Sequence, residues 1–143
     1  LLASSGLDRT ILVWNALTGN TLLRYHGHIG IVTGAMWSPD GNFIASVSFD
    51  KSVQMWNPFT GEMLWIGCCH LDWINGITWS PNGNYIATAD TNKTVQIWNA
   101  NTGTSLTTYL GHQNEVVTVS WSPNGKYIAS GGDDGIVQVW RPL

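Results

Sequence analysis

The sequence predicts an all-β chain: four-stranded antiparallel sheets repeated along its length, about 3.4 copies in 143 residues. Three observations predict it. The phrase WSPDGNFIAS, which begins at Trp37, returns as WSPNGNYIAT from Trp79 and WSPNGKYIAS from Trp121, each 42 residues on. Seven of the nine Trp obey that interval: Trp37, Trp79 and Trp121 superpose, as do Trp14, Trp56, Trp98 and Trp140, while Trp65 and Trp73 stand outside it. Each unit is made of short β-rich runs punctuated by turn residues, and a period of this size marks a repeat architecture.

The elements follow in order within one unit. Strand A is the β-rich run 31–37, repeated at 116–121, and it ends in Ser-Pro-Asp/Asn-Gly. Pro presets that turn and Gly supplies a positive φ. Strand B is the apolar run 42–49. Asp50-Lys51 then turns the chain into strand C, 52–56, whose residues alternate with period two. A turn through Thr60-Gly61, in register with Thr18-Gly19 and Thr102-Gly103, leads to strand D, 63–68. A lone sheet that is apolar on both faces cannot stand by itself, so the copies must stack face to face or radially, as propeller blades. The units divide as 1–28 (strands B, C and D), 29–70, 71–112 and 113–143 (strands A, B and C). The phase starts at B and ends at C. The chain therefore reads as a piece of a longer propeller, or as a unit that self-associates through open faces and unpaired edge strands.

Composition narrows the function. Charged residues make up 10%, the net charge is -3 and the pI is near 5.7. A nucleic-acid binder normally carries a basic stripe, so none is expected as partner. No apolar run approaches a membrane span, so no membrane partner is expected either. The adjacent Cys68 and Cys69 read as free thiols in a reducing compartment, and the chain is expected to be cytoplasmic.

Gly-His, then Trp-Ser-Pro-Asp-Gly, Ala-Ser, Asp-Lys-Ser-Val and Trp-Asn occur in that order and resemble the WD-repeat β-propeller family over essentially the whole chain. The usual Trp-Asp is Trp-Asn at Asn15, Asn57 and Asn99 and Trp-Arg at Arg141. The resemblance implies a hydrogen-bonded group in each blade. The candidates are Ser4, Asp8 and Trp14 in the first unit, which lacks the His; His28, Ser46, Asp50 and Trp56 in the second; His70, Thr88, Asn92 and Trp98 in the third; and His112, Ser130, Asp134 and Trp140 in the fourth. A buried indole N–H needs an acceptor, and a hydroxyl or imidazole can pass the bond on to a carboxylate. With Asn92 in the carboxylate's place, the third network is expected to be weaker by about 1 kcal/mol.

Ser, His and Asp in each unit also suggest a hydrolase triad. They recur together with a structurally useful indole, and no copy is singled out, so no catalytic residue is expected. Cys68, Cys69 and His70, with His26 and His28, lack the two-to-four-residue spacing of structural zinc ligands, and no metal or cofactor is expected. Positions that vary between units are free to carry recognition. At the start of strand A these are Ile31, Trp73 and Glu115; before the turn carboxylate they are Leu7, Phe49, Thr91 and Asp133. In the family these loops line one rim of the propeller. Phe49, Trp73, Glu115 and Asp133 are the candidate partner-binding residues. The expected function is a non-catalytic protein–protein interaction scaffold that binds proteins or peptides on that rim. The alternatives are a propeller that binds a small ligand, sugar or metal, and a self-assembling repeat fragment.

Overall fold

The structure, a computed structural model, describes residues 1–68 and 70–142. Cys69, read above as a free thiol, and Leu143, the last residue of the fourth unit, lie outside the described residues. Among the described residues there are fourteen strands and no helix. They form four antiparallel meanders. The first sheet holds β1 (Leu2–Ser5), β2 (Ile11–Trp14) and β3 (Thr21–Tyr25). The second holds β4 (Val32–Trp37), β5 (Ile44–Ser48), β6 (Val53–Trp56) and β7 (Met63–Gly67). The third holds β8 (Ile74–Trp79), β9 (Tyr85–Asp90), β10 (Val95–Asn99) and β11 (Ser105–Tyr109). The fourth holds β12 (Val116–Trp121), β13 (Ile128–Gly132) and β14 (Val137–Trp140). The leading strands β4, β8 and β12 touch in succession. The sheets therefore fan out from shared inner edges, as blades do in an incomplete propeller.

The turns explain why the motifs recur. Asn57 Oδ1 accepts the backbone N–H of Phe59 and Thr60, and Gly61 N donates back to Asn57 O at 2.8 Å. Asn15 and Asn99 close the same turn in their own sheets. Asn in place of the usual Asp keeps the accepting oxygen that this turn needs. Gly19, Gly61 and Gly103 sit at φ of 73, 76 and 70°, where a side chain would be strained.

The core lies between sheets rather than within them. Ala45, Val47, Val53 and Met55 of the second sheet meet Ile74, Ile77, Trp79 and Trp98 of the third. Each large apolar side chain buried there contributes roughly 1.5–3 kcal/mol. Position in the array decides burial more than residue type does. Val95 and Ile97 are 0% exposed because the fourth sheet covers them, whereas their register equivalents Val137 and Val139 are 71% and 67% exposed. Gly67 marks a close approach: a Cβ there would stand 2.6 Å from the ring of Trp98.

Candidate functional site

Each sheet with an in-register histidine builds one polar chain that runs from strand C through strand B to the histidine of the D–A loop. In the second sheet Trp56 Nε1 donates to Ser46 Oγ at 3.3 Å, Ser46 Oγ lies 2.8 Å from His28 Nε2, and His28 Nδ1 lies 2.8 Å from Asp50 Oδ2. An indole only donates, so the chain is complete when the hydroxyl donates to Nε2 and the imidazole proton sits on Nδ1. Asp50 also accepts from the backbone N–H of Ile29 and from Ser52, at 3.0 and 2.9 Å. The fourth sheet repeats the set with Trp140, Ser130, His112 and Asp134, at 3.2, 2.8 and 2.8 Å.

The third sheet corrects the sequence reading at Asn92. Trp98 Nε1 donates to Thr88 Oγ1 at 2.8 Å, and Thr88 Oγ1 lies 2.6 Å from His70 Nε2. The carboxylate on His70 Nδ1 is that of Asp90, at 2.7 Å. Asn92 is exposed on the turn and takes no part. Asp90 stands two residues before the expected place, at the end of β9. Side chains two apart on a strand point the same way, so Asp90 reaches the same imidazole from the strand rather than from the turn. Thr94 N and Oγ1 complete its shell at 2.8 and 2.7 Å. The charge-assisted bond is therefore kept in this sheet, and the expected weakening does not arise.

Electrostatics follow the geometry. Burial opposes ionisation of Asp50, but bonds from His28 and Ser52 outweigh it and hold its carboxyl below the usual range. Asp90 shows the same balance, with His70 and Thr94 as donors. For Asp134 the backbone N–H of Gln113 is the main cause of the downward shift. In the first sheet Trp14 Nε1 donates to Ser4 Oγ at 2.8 Å, and Asp8 turns to Thr10 and to Arg24, 3.5 Å away.

The D–A loops and the B–C turns meet on one face. Phe49 and Trp73, taken from different units, stack there with centroids 4.5 Å apart and planes 16° apart. Trp73 is nonetheless 49% exposed. Glu115 and Asp133 lie on the same face, both exposed, joined through the backbone by Asp133 N donating to Glu115 O at 2.9 Å. The four partner-binding candidates thus fall into two pairs, one aromatic and one acidic. Among the described residues no group of three or more His, Cys, Asp or Glu is placed to hold a metal ion.

The WD domain, G-beta repeat family matches residues 19–57, 61–99 and 103–141, which together make up most of the chain. The chain belongs to the WD40 repeat family. Each matched WD40 repeat begins beside strand D of one sheet and ends at strand C of the next, so the sequence repeat straddles two blades. Its physical content is an interlock that the sequence reading missed. Tyr25 of the first sheet stacks on Trp56 of the second at 4.3 Å and 1°, and its hydroxyl donates to Gln54 Oε1 at 2.8 Å. Burial, with Asp50 nearby, pushes the Tyr25 hydroxyl up to about 12. Tyr109 stacks on Trp140 at 4.2 Å and donates to Gln138 in the same way. The middle joint has Gly67 in that position, and Trp65 Nε1 donates instead to Ala100 O at 2.8 Å. The clue was the recurrence of Tyr25 and Tyr109, and of Gln54, Gln96 and Gln138, at the repeat interval.

Similar WD40 chains come from several lineages. Protein HIR1 of Cryptococcus neoformans var. neoformans serotype D is 44% identical over 46 residues, 32% of this chain and 5% of that protein. Coronin-7 of Bos taurus is 43% identical over 47 residues, 33% of this chain and 5% of that protein. The chromatin assembly factor 1 subunit FAS2 homolog of Oryza sativa subsp. japonica is 37% identical over 46 residues, 32% of this chain and 9% of that protein. The matched segments span less than a tenth of these relatives' length.

Proposed function

We propose that this WD40 chain is a non-catalytic protein-interaction module that captures partners on the face carrying the D–A loops and B–C turns. The observation that carries the reading is the Phe49–Trp73 stack, a large aromatic surface left half open on that face. Aromatic anchors of this kind dominate binding energy at interfaces. The recurring Ser–His–Asp geometry supports a structural use. A nucleophilic hydroxyl must reach a substrate carbonyl, yet Ser46, Thr88 and Ser130 are 0%, 0% and 1% exposed and each already accepts an indole N–H. One similar protein is by its name a subunit of a larger assembly, which suits an interaction role. The adjacent thiols suit a cytoplasmic setting.

Affinity capture from a cytosolic extract, followed by mass spectrometry, tests the reading with three chains. The Trp73→Ala variant is expected to lose at least tenfold of the partner signal. A Phe59→Ala variant on the opposite C–D turn, where Phe59 is 62% exposed, is expected to keep it. Equal recovery by all three chains would overturn the assignment of the face.

A further inference from the structure

We infer that the open edge of β1 takes up an extended strand from a partner protein, which pairs antiparallel with β1 and carries Thr or Asn followed by Gly. The inference concerns a surface apart from the capture face above. β5, β9 and β13 are each paired on both edges, whereas β1 pairs with β2 alone among the described residues. An unpaired strand edge is a template for another strand. Three features beside this edge match what strand A supplies in the other sheets.

The first is a row of backbone donors. Phe49 N, Thr91 N and Asp133 N each donate at 2.9 Å to the carbonyl just before a strand A, those of Ile31, Trp73 and Glu115. Leu7 holds the equivalent place in the first sheet. It is 79% exposed, and its N–H bonds to no acceptor among the described residues. Gly6 N donates to Thr10 O on the β2 side, so alternation aims Ser5 N at the open edge with Leu7 N.

The second is an orphaned indole. Trp79 Nε1 donates at 3.2 Å to Met36 O, the fifth residue of the preceding strand A. Trp121 Nε1 donates at 3.1 Å to Gly125 O in its own turn. Trp37 Nε1 is closed to water and has no acceptor of either kind among the described residues. Buried donors are almost always satisfied, and the fifth carbonyl of an added strand satisfies this one.

The third is the seam between successive strands A, which sets the sequence of the guest. Thr33 Oγ1 donates to Ile74 O at 2.5 Å, and Asn75 Nδ2 donates to Val116 O at 3.0 Å. The second residue of each strand A thus bonds to the first carbonyl of the next, a place that Val32 O holds here. A Cβ on Gly34 would stand 3.0 Å from Ile77, and one on Gly76 would stand 3.3 Å from Val117 O. The third residue therefore has to be small. The guest reads apolar, Thr or Asn, Gly, apolar, any residue; its backbone supplies affinity and these side chains supply selectivity. A second copy of this chain has no such strand to lend, because β4, β8 and β12 are all paired in their own sheets.

Nuclear magnetic resonance titration of the ¹⁵N-labelled full chain tests this with two blocked, unlabelled peptides. One is Lys-Ile-Val-Thr-Gly-Ala-Met-Trp-Lys; the other has Val in place of its Gly. The Gly peptide is expected to shift the Trp37 indole signal and to slow amide exchange at Ser5 and Leu7 at least tenfold. The Val peptide is expected to bind at least tenfold more weakly, because its side chain meets β4. A Ser5→Pro variant removes an edge N–H that β2 does not use, and is expected to abolish binding with unchanged circular dichroism. Trp73→Ala, on the capture face, is expected to bind the Gly peptide as the unmodified chain does, so either reading can fail without the other. A Trp37 indole that does not respond, equal affinity for the two peptides, full binding by Ser5→Pro, or shifts confined to Trp140 beside the open edge of β14 would overturn the inference. Protection of Leu7 that grows with the concentration of the chain alone would assign the edge to a second copy and overturn the partner strand.

Discussion

Replacing Asp90 with alanine is expected to destabilise the chain by about 3 kcal/mol or more, the scale on which breaking a buried pair is felt. Asn92→Ala, two residues away, is expected to change stability by less than about 0.5 kcal/mol, as exposed turn positions usually do. The asymmetry follows from burial and partners. Asp90 is 1% exposed and accepts from His70 Nδ1, Thr94 N and Thr94 Oγ1. Alanine would leave these donors unsatisfied in a site closed to water, and each orphaned group costs roughly 1–3 kcal/mol. Urea unfolding of the two variants measures the difference. Acid supplies an independent check. The Asp90 carboxyl lies below its ordinary 3.8 in the folded chain, so its contribution is complete above that value and is lost as pH falls below it toward the folded-state value. The unmodified chain should therefore lose stability steeply as pH is lowered below about 4, and Asp90→Ala should flatten that slope.

Trp98→Ala is expected to cost about 3–5 kcal/mol, the range for truncating a large buried aromatic. Trp98 is 0% exposed, sits in the cluster between the second and third sheets, lies against Gly67 and donates to Thr88. Its loss opens a cavity, and it removes the donor from a fully buried hydroxyl. Domains of this kind hold only about 5–15 kcal/mol in total, so the variant should unfold at much lower denaturant. Trp14→Ala makes the same chemical change at the register-equivalent position of the first sheet, where the indole is only half-buried. It should cost clearly less, because less surface returns to water. Chemical denaturation followed by circular dichroism compares the two. Equal losses would mean that the interface between sheets is not where the stability resides.

The Trp interval was enough to read the strands, their order and their grouping, because one indole per strand C and one per strand A fix the frame. What could not be read is instructive. Asn92 aligns with Asp50 and Asp134, but alignment compares positions, whereas the imidazole requires only a carboxylate on the correct side of the strand. Asp90 meets that need from two residues upstream. The Tyr25 and Tyr109 interlocks are not legible from the repeat alone because Gly67 interrupts their series, and a broken series does not stand out among constant ones. Phe49 and Trp73 were each visible as unusual residues. Their stacking depends on the angle between two sheets, a property of three-dimensional packing that no local pattern encodes. The contrast in exposure between Val95 and Val137 likewise comes from neighbours in space.

The central claim is that the strand-C indoles Trp56 and Trp98 are held in buried hydrogen-bonded chains that run from strand C to the D–A loop and the turn carboxylate. Hydrogen exchange of the indole N–H groups, followed by nuclear magnetic resonance on ¹⁵N-labelled chain, tests it most directly. Trp56 and Trp98 should exchange slowest, near the rate of global unfolding, and the half-exposed Trp73 should exchange orders of magnitude faster. A Trp98 indole that exchanges as fast as that of Trp73 would contradict the account.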